Sequence, residues 1–213
     1  MKANLSFCYC LVSCFFKFLF KYIYRGKLYG VENIPSSGGF ILAGNHVSYL
    51  DPPMIAVHCA RQPVYSFARN TLFKKGIGWF FKRLYMIGVD REKGSDLCSI
   101  KQVLQLLKEG KVVQMFPEGT RSVTGVLQRG KKGIGLFISK AQVPVVPVRI
   151  FGTYEALPKG AKFLNLKPKI SIVFGKPLNF EDFENCKAEE DPLQAISDRV
   201  MQAIANLNLK EEK

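Results

Sequence analysis

Six short apolar runs punctuate the sequence: Phe40 to Ala43, Val64 to Ala68, Met86 to Val89, Val112 to Phe116, Val143 to Phe151 and Ile170 to Phe174. Runs this short and this largely apolar suit strands buried on both faces, and helical patterns lie between several of them. The clearest helix starts at Ser95 as its cap, carries Ile100, Val103, Leu104 and Leu107 on one face, and stops at Gly110. Another closes the chain, with Leu193, Ile196, Val200, Ala203, Ile204 and Leu207 on one side. The alternation predicts an α/β fold in a single domain, with a mostly parallel or mixed sheet covered by helices on both faces. A length of 213 residues is enough for one sizeable core and short for two.

In such sheets ligands gather where strands hand over to helices. The run Phe40 to Ala43 leads into Gly44-Asn45-His46-Val47-Ser48-Tyr49-Leu50-Asp51-Pro52-Pro53. His46 and Asp51 are five residues apart, which suits a turn that folds the carboxylate back onto the imidazole. In that arrangement the carboxylate fixes the tautomer through one ring nitrogen while the other takes a proton from an attacking hydroxyl. Asp51 ahead of two prolines also reads as a helix N-cap, and the spacing alone leaves both readings open.

The run Val112 to Phe116 leads into Pro117-Glu118-Gly119-Thr120-Arg121-Ser122, where hydroxyl and guanidinium donors follow a glycine at a strand end. A seat for an oxyanion or phosphate is built from such groups, and Arg91, Lys131 and Lys132 are basic residues able to share it. An ordinary polar turn has the same composition.

Charge narrows the partners. Lys and Arg number 31 against 17 Asp and Glu, a balance of +14, so anionic partners are expected: phospholipid surfaces, phosphorylated substrates or nucleic acid. Seventeen Phe, many in uncharged runs, favour a hydrocarbon partner, and no nucleic-acid motif is present. The six cysteines include no CxxC pair and read as reduced; with only two histidines, no metal site is expected.

Leu5 to Tyr24 is almost wholly apolar, about 30 Å long as a helix. Ser6, Ser13, Lys17 and Lys21 fall on one narrow stripe, which predicts a helix lying in a membrane interface with its lysines at headgroup level. A snorkelling single span is the alternative, and an ordinary buried helix the third reading. Residues 1–29 are therefore read as a membrane-associated segment and 30–213 as the domain that carries both loops. Between Phe73 and Tyr85, Lys74, Lys75, Lys82 and Arg83 alternate with Ile77, Trp79, Phe80 and Phe81, a mixture that suits the same interface.

With these residues placed, the chain resembles the glycerolipid acyltransferase family, most closely the bacterial 1-acyl-sn-glycerol-3-phosphate acyltransferases. Asn45-His46 to Asp51-Pro52 matches the family's first block, a His, four residues and Asp. Met86 to Arg91 resembles the second, Phe116 to Ser122 the third, and Val143 to Val148 the fourth. The resemblance implies transfer of a fatty acyl group from the thioester of coenzyme A or acyl carrier protein to the sn-2 hydroxyl of lysophosphatidate, with no cofactor beyond that co-substrate. It implies His46 as general base and Asp51 as its orienting partner. It further implies Arg91 and Arg121 on the substrate phosphate, with Glu118, Gly119 and Thr120 shaping the acceptor site. Asn45, Ser48, Arg69 and Lys131 are secondary candidates, and Pro147 with its valines is read as structural or as lining the acyl path.

The implied location is a membrane surface, the cytoplasmic face of a bacterial inner membrane. Related acceptors, glycerol 3-phosphate or another lysolipid, remain alternatives within the enzyme class. A non-catalytic lipid-binding protein is the alternative outside it. The sequence departs from relatives in two places. Gln128-Arg129-Gly130-Lys131-Lys132-Gly133 stands where a Phe-Lys pair is common, and Arg69 stands where a lysine is frequent.

Overall fold

The computed structural model describes residues 5–73, 76–89 and 97–209. Among them seven strands form one sheet: β1 (Lys27–Tyr29), β2 (Phe40–Gly44), β3 (Val64–Arg69), β4 (Met86–Val89), β5 (Val112–Met115), β6 (Val145–Phe151) and β7 (Ser171–Phe174). Their order is β1-β7-β6-β2-β5-β3-β4. β6, β2, β5, β3 and β4 run parallel, whereas β7 is antiparallel to β6 and carries β1 parallel to itself. The expected mixed α/β sheet is therefore present. The edge strand β1 is added to the six runs.

Alternation of side chains along each strand sends the apolar runs to both faces. Phe40 and Leu42 of β2 face one core, with Met54, Ile55, Val146, Val148 and Phe174. Ile41 and Ala43 face the other, with Val103, Leu107, Ile134, Ile138, Val200 and Ile204. The first face is covered by α1 (Phe7–Phe18) and α2 (Asp51–His58). The second is covered by α5 (Leu97–Lys108), α6 (Lys132–Ala141) and α8 (Pro192–Ala205). Three short helices, α3 (Asn70–Phe73), α4 (Gly78–Arg83) and α7 (Thr153–Ala156), fill the connections. The Ser95 cap lies outside the described residues. Val145, Val146, Pro147 and Val148 belong to β6, paired to β2 and buried for the most part, so this block is part of the sheet.

The N-terminal helix is α-helical only to Phe18, and a wider π-helical turn covers Leu19–Ile23. That turn brings Tyr24 N over Leu19 O at 3.0 Å and faces Leu19, Phe20 and Tyr24 toward the first core. Phe20 packs against His58 with ring centroids 4.1 Å apart and planes tilted by 46°, joining the N-terminal segment to the far end of α2. Residues 19–29 thus supply core side chains and strand β1. The opposite side of the same helix leaves Phe7, Leu11, Phe15, Phe18 and Tyr22 exposed. Trp79 and Ile77, on and beside α4 against α1, are exposed as well, and Lys74 and Lys75 lie outside the described residues. Among the described residues no helix is long and apolar enough to cross a membrane.

Phe20 tests how firmly this segment belongs to the core. Phe20→Ala is expected to destabilise the fold by about 3–5 kcal/mol, the range for a buried phenylalanine that leaves a cavity. Urea denaturation measures it, and a loss below about 1 kcal/mol would mean the helix is an appendage.

Candidate active site

β2 and β5 are adjacent and parallel, so their C-terminal ends bring residues 45–51 and 116–122 together at one edge of the sheet. Asn45 continues the ladder with its side chain: its Nδ2 donates to Ile150 O at 3.1 Å, and Ile150 N donates to its Oδ1 at 2.8 Å. The chain then turns. Asp51 opens α2, and because Pro52 and Pro53 carry no N–H, the first turn of that helix makes no demand on its carboxylate there.

The carboxylate instead turns back. Asp51 Oδ2 accepts from Val47 N and Ser48 N, both at 2.7 Å, and lies 3.0 Å from His46 Nδ1. Of the two readings of Asp51, the contact with the imidazole is present, whereas the N-cap position falls to Leu50 without a side-chain cap bond and Asp51 is the first helical residue, because its carboxylate is taken by the preceding turn. Because Asp51 Oδ2 already accepts two backbone N–H bonds, the Nδ1 contact is a donation from the ring, and in that tautomer Nε2 is left with its lone pair. The ring is held flat against Phe116, with centroids 4.2 Å apart and planes 23° apart.

His46 is also gripped through its backbone. Glu118 Oε1 accepts from His46 N at 2.7 Å, and Ser122 N donates to His46 O at 2.8 Å. Glu118 Oε2 accepts from Gln128 N at 3.1 Å and from Gln128 Nε2 at 3.2 Å. Burial pushes the Glu118 carboxyl above its ordinary value, while the bonds from His46 and Gln128 pull it back down. Both oxygens are thus taken by protein donors, so Glu118 fastens the two loops to each other. Gln128, absent from the expected site, completes the clasp.

The remaining candidates divide by geometry. The Arg121 guanidinium lies over the Tyr49 ring, 3.4 Å from its centroid, and its Nη1 is buried without a hydrogen-bond partner among the described residues. Gly119 takes a positive φ of 70°, and the Lys131 aliphatic stem runs across the space a Cβ would need there. Thr120 is half-buried and its carbonyl accepts from Gln128 Nε2 at 3.4 Å. Asn45 and Ser48, expected as secondary site residues, commit their polar atoms within the protein; Ser48 Oγ donates to Leu157 O at 2.8 Å. Arg69 is exposed at the end of β3, two strands from β2. Arg91 lies outside the described residues.

Of the two glycines in the departing stretch Gln128 to Gly133, only Gly130 is tightly packed: a Cβ there would run into Ser197 Oγ and come within 2.9 Å of Met201 Cγ, so a larger residue would require those α8 side chains to shift. A cleft of about 350 Å³ opens beside the site, lined by Val47, Val126, Phe151, Tyr154 and Glu155 among others; His46 and Asp51 do not line it.

Comparison with known proteins gives this geometry its class. A family model described as Acyltransferase matches residues 25–151. The 1-acyl-sn-glycerol-3-phosphate acyltransferase of Bacillus subtilis (strain 168) is 34% identical over 186 residues, spanning 86% of this chain and 88% of that one. The enzyme of the same name from Borreliella burgdorferi is 24% identical over 191 residues, 84% of this chain and 72% of that one. The crystal structure of the 1-acyl-sn-glycerophosphate acyltransferase from Thermotoga maritima superposes with a TM-score of 0.72 at 27% identity, covering 94% of this chain and 80% of that one. The chain belongs to the acyltransferase family. It is an enzyme of lipid synthesis in the line of those relatives, as the four blocks implied.

Proposed function

We propose that this acyltransferase moves a fatty acyl group from a coenzyme A or acyl carrier protein thioester to the sn-2 hydroxyl of 1-acyl-sn-glycerol 3-phosphate, forming phosphatidate. The observation that carries the reading is the 3.0 Å contact between His46 Nδ1 and Asp51 Oδ2, which leaves Nε2 as a base at the sheet edge. Nε2 takes the hydroxyl proton as the oxygen attacks the thioester carbonyl. The Asp51 charge stabilises the imidazolium that forms. Collapse breaks the C–S bond, and the imidazolium returns its proton to the leaving thiolate. Neither Ser48 nor Ser122 of the two loops is hydrogen-bonded to the His46 ring, which supports direct transfer in a ternary complex. A base contributes roughly 100- to 10,000-fold. Holding the acceptor in register with the thioester must supply much of the rest.

Arg121 holds the acceptor phosphate, supported by its buried, unpartnered Nη1 and by the planar fork that suits a phosphate, with Arg91 expected to assist. The exposed row Phe7, Leu11, Phe15, Phe18 and Tyr22, with Lys17 and Lys21 beside it, docks the protein on a membrane from which the acceptor is drawn, at the cytoplasmic face.

The experiment is acyl transfer in mixed micelles, with lysophosphatidate, glycerol 3-phosphate or lysophosphatidylcholine as acceptor. Turnover with lysophosphatidate is expected; preference for another acceptor would move the substrate and keep the chemistry. Arg121→Ala is expected to raise the acceptor KM by roughly 10- to 100-fold, the worth of a hydrogen bond to a charged group, and to leave the thioester KM unchanged. A change confined to the thioester KM refutes the phosphate assignment.

A further inference from the structure

The catalytic end of the sheet carries a second basic and apolar surface. Residues 157–169 connect α7 to β7 and contain Lys159, Lys162, Lys167 and Lys169 with no acidic residue. Phe163, Leu164 and Leu166 stand 86%, 45% and 50% exposed at the middle of this segment.

Its backbone is tied down. Asn165 N donates to Ala156 O at 2.8 Å and Asn165 Nδ2 to Glu155 O at 3.2 Å; Lys167 N donates to Asn165 Oδ1 at 3.1 Å, and Ala161 N to Pro158 O at 3.1 Å. A segment held this way displays three large apolar side chains to solvent when burying them would be favourable. Such a patch marks an interaction site.

Position says which kind. β6 runs parallel to β2, so the segment emerges beside His46 at the same edge of the sheet. Ser48 Oγ donates to Leu157 O, Lys159 Nζ reaches Arg121 O at 3.5 Å, and Tyr154 OH donates to Val123 O at 2.9 Å. The neighbouring Val123 and Val126 are exposed too. At its far end, Ile170 N donates to Tyr24 O at 3.3 Å and Lys27 N donates to Ile170 O at 3.1 Å. The far end of the segment is thus tied by its backbone to the residues that follow the N-terminal helix, whose outer side is the exposed apolar row.

We propose that residues 157–169 are a second bilayer-contact element, which seats Phe163, Leu164 and Leu166 among the acyl chains of an anionic membrane while its lysines meet phosphate headgroups. The inference rests on the reading that the acceptor comes from a membrane surface, and it adds a second contact. Lysines on either side of an apolar tip match a headgroup layer over hydrocarbon. A second contact beside the loop bearing His46 limits the tilt of the protein and sets the catalytic edge against the headgroups.

The test places a fluorescent reporter at the tip. Trp79 is the chain's only tryptophan, so Phe163→Trp in a Trp79→Phe background reports from the segment alone. On phosphatidylcholine vesicles containing phosphatidylglycerol, the emission is expected to shift to the blue and to be quenched by lipids brominated on their acyl chains. In the otherwise unaltered chain, Lys162→Ser with Lys167→Ser is expected to weaken partitioning onto those vesicles by roughly 30-fold, with an unchanged melting temperature. Co-sedimentation with an unmoved emission overturns this element and leaves the membrane reading standing. Failure to co-sediment with any vesicle overturns both. An emission shift on adding acyl carrier protein but not vesicles overturns the lipid assignment and puts an acidic protein there.

Discussion

His46→Ala is expected to lower kcat by about 100- to 10,000-fold, the contribution of a positioned base, while the protein stays folded. The two expectations separate because the loop does not depend on the ring. Its backbone is held by Glu118 and Ser122, and Asp51 keeps the N–H groups of Val47 and Ser48. What the fold loses is the stack on Phe116, about 0.5–1.5 kcal/mol, and the bond from Nδ1 to the buried Asp51, about 1.5–3 kcal/mol, together at most about 18 °C in Tm for a chain of this size and short of the stability of an ordinary domain. Steady-state kinetics and a thermal melt on the same preparation decide it. A kcat within fivefold of the parent would show that another group takes the proton.

Fold and site were legible in the sequence to different depths, and the difference has a physical pattern. Runs such as β2, β5 and β7 could be read because a strand buried on both faces is mostly apolar whatever its neighbours; β4, at one edge of the sheet and largely half-buried, could be read from its apolar content alone. β1 could not: Lys27-Leu28-Tyr29 at a sheet edge has two exposed residues and no alternation long enough to see. α6 was hidden by Gly133 and Gly135, residues that argue against a helix until α8 is in view. Gly135 lies against the Leu193 carbonyl, where any side chain would collide. In the N-terminal helix, Phe16, Leu19 and Phe20 meet protein whereas Phe7, Leu11 and Phe15 are exposed, and composition does not distinguish the two surroundings.

The site follows the same rule. His46 and Asp51 meet across five residues, so their spacing carried the information. Glu118 reaches back 72 residues to His46 and forward 10 to Gln128, and nothing local in Pro117-Glu118-Gly119 says that both oxygens will be used inside the protein. An acidic residue in a loop next to a base looks like a ligand for substrate. Only the pairing of β2 with β5 shows it to be a fastening.

That fastening yields the second large effect. Glu118→Ala removes the acceptor for three N–H groups, of which His46 N and Gln128 N cannot turn elsewhere without moving the loops. Orphaned buried donors cost about 1–3 kcal/mol each, so the fold is expected to lose roughly 2–5 kcal/mol. A shift of the imidazole by an ångström is enough to cut kcat about 100-fold. Glu118→Gln separates the charge from the bonds, since its single oxygen satisfies one loop and its amide faces donors of the other. Its dependence on pH has a definite sign. Burial raises the Glu118 carboxyl, so the folded chain holds the proton where the unfolded chain has released it. The contribution of this group to stability is therefore fullest below the ordinary glutamate value and falls as pH rises through the raised one. Glutamine has no such titration. The stability gap between the parent and Glu118→Gln, measured by urea denaturation across the acidic range, is expected to narrow as pH increases. A gap that widens with pH would mean that the Glu118 charge itself holds the two loops together, and that the three hydrogen bonds more than offset its burial.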